Sequence, residues 1–190
     1  MPASRDFRQL LAPGDRRTVG DVDEVVRAVL DRPSLVSDLI GCAFDAREGV
    51  RMRAADALEK VSRIQTEPLR PFVGLLLGLF EETGQNEVRW HLAVLLPRLP
   101  LSVEERCRTV AVLERCLEAK SSLVRTFALQ GLADLARQEE SFAPLVLDRL
   151  RTAERTGTPA MKARSRKLLR ELERRGGEAD LRTGGALREV

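Results

Sequence analysis

The chain has 190 residues, 43% of them hydrophobic and 32% charged, with a formal net charge of +3. That length supports a sizeable core, and a near-neutral body argues against a dedicated nucleic-acid protein, which carries a basic stripe. No apolar run reaches membrane-spanning length, the longest being Val73 to Phe80, and the first residues lack the apolar region of a secretory signal, so a soluble cytoplasmic protein without membrane partners is expected.

Residues 1–20 mix charge with Pro13, Gly14 and Gly20 and read as a flexible lead, with room for a short helix around Asp6 to Leu11. Asp21 and Glu24 have the form of a capping box that opens a helix from Val22 to Leu30, which Pro33 stops. Ser34 is placed to cap residues 34–46, and residues 50–63 run back. Thr66 caps the next helix, with Pro68 in a first turn where the missing N–H is harmless. Phe72 to Phe80 is apolar nearly all round and reads as a central helix covered on both sides.

The return helix from Val88 contains Pro97, which removes a helical hydrogen bond and should end or kink it. Ser102 and Glu105 form a second capping box for residues 103–119, and residues 122–137 return. Pro144 begins residues 144–155, and Thr158-Pro159 starts a last helix that ends near Arg175. Residues 176–190, with Gly176, Gly177, Gly184 and Gly185, read as a disordered tail, leaving 21–175 as a single domain.

One stretch repeats. In VRMRAADALEKV, numbered from Val50, apolar or small residues fall at offsets 0, 4, 7, 8 and 11. These project into a sector about 100° wide, the stripe of a helix packed on one side. The spacing returns at Val88, Val124 and Met161, start points 38, 36 and 37 residues apart. Phased copies at such a period mark a solenoid, in which each helix pair buries its apolar face on its neighbours. A base follows each start (Arg51, Arg89, Arg125, Lys162), with an acid upstream of it (Asp45, Glu82, Glu118, Glu154). Such a carboxylate could accept hydrogen bonds from the first turn of a second helix or pair with the Arg of the adjacent repeat, forming a ladder. The last copy is the most polar, with Ser165 on the stripe, as a capping repeat with a wet outer face would be.

The pattern V-R-x-x-A-x-x-x-L-x-x-L behind an apolar helix resembles the second helix of a HEAT repeat, over roughly residues 34 to 175. The resemblance implies an all-α, right-handed α-α superhelix, a HEAT-like and armadillo-like solenoid of about four helix pairs. Its members mostly act as scaffolds or peptide-binding surfaces. A few are enzymes, such as the alkylpurine DNA glycosylases and the bilin lyases, the latter supported by nothing beyond the shared fold.

In such arrays the second helices line the concave side, and the face opposite the stripe lies near offsets 2, 6, 9 and 13. This gives Met52, Asp56, Glu59 and Arg63 in repeat one, and Trp90, Val94 and Pro97 in repeat two. Repeat three gives Thr126, Gln130, Ala133 and Arg137, and the last gives Ala163, Lys167, Arg170 and Arg174. Trp90 and Val94 do not belong on a polar face, so they mark a binding anchor. The alternative is that Trp90 packs on its neighbours.

Chemistry is sparsely represented. His91 is the only histidine, which leaves no His-rich metal site and no imidazole relay. Adjacent carboxylates such as Glu81-Glu82 diverge on a helix, and no phosphate-binding or metalloprotease motif is present. The odd cysteines, Cys42, Cys107 and Cys116, suit a reducing compartment. Residues 161–175 hold seven bases against two acids, a surplus of five that leaves the rest of the +3 chain at −2.

The sequence therefore predicts a non-enzymatic protein–protein interaction scaffold that needs no cofactor or metal and is open to self-association. The alternative is a nucleic-acid-binding, glycosylase-like protein using Trp90, Asp56 and the bases Arg53, Arg63, Arg98, Lys167 and Arg170.

Overall fold

The computed structural model describes residues 6–12 and 21–185, with side chains through Arg175. Among these residues every regular element is helical. The helices are α1 (Phe7–Leu10), α2 (Val22–Asp31), α3 (Val36–Cys42), α4 (Glu48–Ser62) and α5 (Val73–Glu82). They continue with α6 (Asn86–Leu95), α7 (Val103–Leu117), α8 (Ser122–Gln138), α9 (Ala143–Thr156) and α10 (Pro159–Gly185).

From α3 onward consecutive helices pair, and the pairs stack into two rows. The second-helix row, α2–α4–α6–α8–α10, is tight, each member packing directly on the next. The first-helix row is looser: α5 touches α7, whereas α3 and α5, and α7 and α9, meet only marginally. An array with one tight row curls toward it, so α4, α6, α8 and α10 line the inner curve. The stripe residues Leu58, Leu96 and Leu132 are fully buried between the rows, each such burial contributing about 1.5–3 kcal/mol.

Local chemistry explains the helix ends. Pro97 lacks an N–H, so α6 stops at Leu95 and tightens into a 3-10 turn over Leu96–Arg98. The Ser102–Glu105 box closes in both directions, with the Glu105 carboxylate accepting from the Ser102 N–H at 2.7 Å and the Ser102 Oγ from the Glu105 N–H at 3.2 Å. Asp21 stands at the N-cap of α2 without a side-chain cap bond, and Ser34 sits inside a 3-10 turn before α3 instead of capping it.

Several expectations need correction. Part of the lead is packed: Phe7 and Leu11 are buried, and the buried Arg53 donates to the Leu11 carbonyl at 2.9 Å. Residues 1–5 and 13–20, where Pro13, Gly14 and Gly20 lie, are outside the described residues. At the other end α10 runs past Arg175 to Gly185, so no helix end marks the expected boundary, and residues 186–190 lie outside the described residues. Nor is α5 covered on both sides, since Leu75 is 54% exposed.

The acid–base ladder also takes another form. The Arg51 Nη1 donates to the main-chain carbonyls of Asp45 and Ala46 at 2.8 and 2.9 Å, and the Arg89 Nε to the Thr83 carbonyl at 2.7 Å. Carbonyls in the turn between paired helices, such as those of Asp45 and Ala46, and at a C-cap, such as that of Thr83, have no helical donor, so these arginines reach back to them and not to the expected carboxylates. The Asp45 carboxylate accepts from Arg47 instead, at 2.8 Å, which with the Arg47 main-chain bond holds it near pKa 2.

Ser165 is fully buried, as its stripe position requires, and its Oγ has no hydrogen-bond partner. A buried hydroxyl without a partner costs stability that alanine would not. Ser165→Ala is therefore expected to stabilise the chain by about 1 kcal/mol, raising Tm by roughly 2–4 °C in a thermal melt.

Candidate functional site on the inner curve

The candidate site is the solvent-facing side of the second-helix row. Its centre is aromatic. The Trp90 ring on α6 stacks on Phe127 of α8 with centroids 5.2 Å apart and planes 26° from parallel. The Arg164 guanidinium of α10 lies 5.9 Å from the Phe127 centroid, within cation–π reach. All three side chains are half-buried, so the stack is pinned from behind and open in front.

Polar groups bond both along each second helix and across to its neighbour one repeat away. The Arg164 Nη1 donates to the Gln130 Oε1 at 2.7 Å, and the Gln130 Nε2 to the Asp134 Oδ1 at 2.9 Å. Arg137 bridges Asp134 and Glu171. On the other flank the buried Glu59 carboxylate accepts from Arg98 at 2.5 Å and from Arg63 at 2.9 Å. Lys60 joins Asp56 at 3.3 Å and Asp23 at 2.9 Å. Contacts of this kind tie neighbouring second helices together.

Burial sets the protonation states. It pushes the Glu59 carboxyl up, but the bonds from Arg63 and Arg98 outweigh it and leave the acid below its ordinary range. Burial also raises Asp134, and Arg137 and Gln130 only partly counter it. His91, buried beside Trp90, is lowered to about 4 by the same desolvation, so its imidazole is neutral at pH 7. Burial pushes the Cys42 thiol up to about 11, which makes it a poor nucleophile.

Of the site residues chosen from sequence, Trp90, Met52, Asp56, Gln130 and Arg137 are half-buried on this face, and Arg63, Lys167 and Arg170 are exposed. Val94 is a correction: it is only 4% exposed and cannot anchor a ligand. Glu59 is 2% exposed and acts as the acceptor for two arginines, not as a contact residue. Pro97, Thr126 and Ala133 are buried as well. The reason is lateral. Each second helix is overlapped by the next, which covers part of the face opposite the stripe. Offset 10 stays half-open in every copy (Lys60, Arg98, Asp134, Glu171), whereas offset 3 is half-open only in the last two, Arg53 and His91 being buried.

Those two offsets hold the residues the projection missed, namely Phe127, Arg164, Asp134 and Glu171. A Phe three residues after the Val124 start and an Arg three after Met161 were the available signals. The set of bases offered for nucleic acid is broken up, because Arg53 is buried and Arg63 and Arg98 neutralise Glu59. Asp56, the acid of the glycosylase reading, is ion-paired with Lys60.

One atom each from Asp56, Glu59 and His91 lies within 4.8 Å of the others, a spacing that suits cation ligands. The donors do not fit the role. Glu59 already carries two guanidinium groups and Asp56 an ammonium, so cationic charge exceeds the two carboxylates before any metal is added.

No family model matches the chain, and no curated protein matches it. Among solved structures it is similar to an engineered protein from the Northeast Structural Genomics Consortium, with a TM-score of 0.62 at 18% identity over 88% of this chain and 78% of that one. It is also similar to a designed armadillo repeat protein in complex with the peptide (KR)4, with a TM-score of 0.58 at 14% identity over 87% and 80%. A second designed armadillo repeat protein aligns with a TM-score of 0.57 at 15% identity over 87% of this chain and 80% of that one. Likeness at these identities shows the fold, an all-α superhelical repeat, without singling out the HEAT type.

Proposed function

We propose that this protein is a non-enzymatic scaffold that holds an extended segment of a partner protein along its inner curve, anchored at Trp90. The observation that carries the reading is the half-open Trp90–Phe127 stack in the middle of a mostly polar face. Aromatic side chains pinned from behind lose little entropy on binding and are over-represented among binding anchors. The surrounding charges are already satisfied by one another, so an apolar contact at the stack gains more than a rim ion pair. A designed armadillo repeat protein of similar fold was solved in complex with a peptide, which supports the mode of binding and not the identity of the ligand. The free cysteines agree with a cytoplasmic setting, and no helix among the described residues is long and apolar enough to cross a membrane.

Trp90→Ala is expected to weaken capture of the partner by roughly 30-fold, the effect of losing an anchor worth about 2 kcal/mol, while lowering Tm by only a few degrees. Co-purification from the native host with wild-type and variant chains measures the first quantity, and a thermal melt the second. A large fall in Tm would assign Trp90 to the core. The exposed bases of α10, Lys167 and Arg170 among them, carry a second reading: nucleic acid as the ligand. A salt series separates the two, because phosphate contacts give capture that falls steeply with added salt.

A further inference from the structure

We propose a second docking surface, a groove on the outer side of the array that receives an amphipathic helix of a partner protein bearing basic residues beside its apolar face. The groove has a volume of about 760 Å³ and lies between α5 and the turn joining α3 to α4. It shares no lining residue with the Trp90 stack. Phe44 and Leu75 line it and are 49% and 54% exposed, among the few large apolar side chains that the fold leaves in water.

Its floor is Gly74 and Gly78, one turn apart on α5, and a Cβ added at either would meet nothing within 4 Å. The fold therefore gains nothing from their lack of a side chain, and a glycine inside a helix is less stable than alanine. What the two glycines provide is depth. A helix can approach most closely where the facing side chains are smallest, and an apolar pair at positions i and i+4 would match their spacing.

Charge selects the occupant. The ionisable residues lining the groove are Asp45, Glu48, Glu82 and Arg51; the Asp45 carboxylate is already paired with Arg47, which leaves the two glutamates against Arg51. The Arg51 guanidinium is committed to the Asp45 and Ala46 carbonyls and to Gln85. Glu48 and Glu82 are exposed at the rim. An apolar helix with Lys or Arg on its flank satisfies both features, and an acidic one is repelled.

The test is a phage-displayed library of helical peptides panned against the full chain. The expected winners carry two apolar residues four positions apart and at least one flanking Lys or Arg. Gly78→Leu, which fills the groove while favouring the helix, should weaken them at least about tenfold with no loss of Tm. A Glu48→Gln/Glu82→Gln double variant should weaken them and flatten their salt dependence. Trp90→Ala should leave them unchanged, so this surface and the inner curve fail or stand separately. The proposal is overturned if no peptide is enriched, if the winners are acidic or lack the apolar pair, or if their binding survives Gly78→Leu. A dimer of the full chain that Gly78→Leu dissolves would place a second copy in the groove and overturn it too.

Discussion

Gly131→Ala is expected to destabilise the chain by about 3 kcal/mol, although alanine is ordinarily the best helix former. Gly131 occupies a stripe position of α8, where a Cβ would stand 2.1 Å from the Ala93 carbonyl oxygen of α6 and within 3.2 Å of both Leu113 methyl carbons. Backbone cannot yield as a flexible side chain does, so α6 and α8 must separate along their contact. Thermal melts should show Tm lower by roughly 6–12 °C. Gly78→Ala, at a position with open space around it, provides the contrast and should be neutral or stabilising by up to about 1 kcal/mol. Equal effects at the two positions would contradict the described seam.

Acidification from pH 7 to 4 is expected to cost about 3 kcal/mol through His91 alone. Its imidazole has an ordinary pKa of 6.5 in the unfolded chain and about 4 in the folded one, and each unit of difference is worth about 1.4 kcal/mol. Between those values the unfolded chain binds a proton that the folded chain does not. The stabilising contribution is therefore complete above pH 6.5 and falls away as the pH drops toward 4. Burial dominates the shift; Asp56 and Glu59 oppose it, while Lys60 and Arg63 reinforce it. Glu59 adds a loss in a lower window, below its ordinary value of 4.5, as its bonds to Arg63 and Arg98 are protonated away.

The check is the urea midpoint from pH 4 to 7.5 for wild type and His91→Met. The variant should be at least as stable at pH 7, because the His91 Nδ1 is buried without a partner. It should also lack the slope between pH 6.5 and 4. Parallel profiles would show that His91 is protonated, or exposed, in the folded chain.

Much of the architecture was legible because it depends on local rules. The offsets from Val50, Val88 and Val124 locate the buried stripe, Pro97 ends its helix, and Ser102 with Glu105 starts the next. These are properties of one helix at a time. The site was only half legible, because it depends on how far one helix overlaps the next. Periodicity puts Val94 opposite the stripe, but the closely packed α6 and α8 cover it. The same overlap brings Phe127 beneath Trp90, two residues 37 positions apart that no single-helix projection relates. Leu75 failed in the opposite direction: an all-apolar helix reads as enclosed, and nothing in its sequence announces the open groove beside the turn joining α3 to α4 that Leu75 lines.

The bonds across the inner curve tie each helix pair to its immediate neighbour: Lys60 to Asp23, Arg98 to Glu59, Gln138 to the Pro97 carbonyl, and Arg164 to Gln130 with Arg137 to Glu171. Links of that reach bear load in series, like the rungs of a coiled spring. Pulled from its ends, the molecule should lengthen and recoil by small changes of pitch shared among all seams before any single unit opens. A ligand seated across several seams would stiffen it.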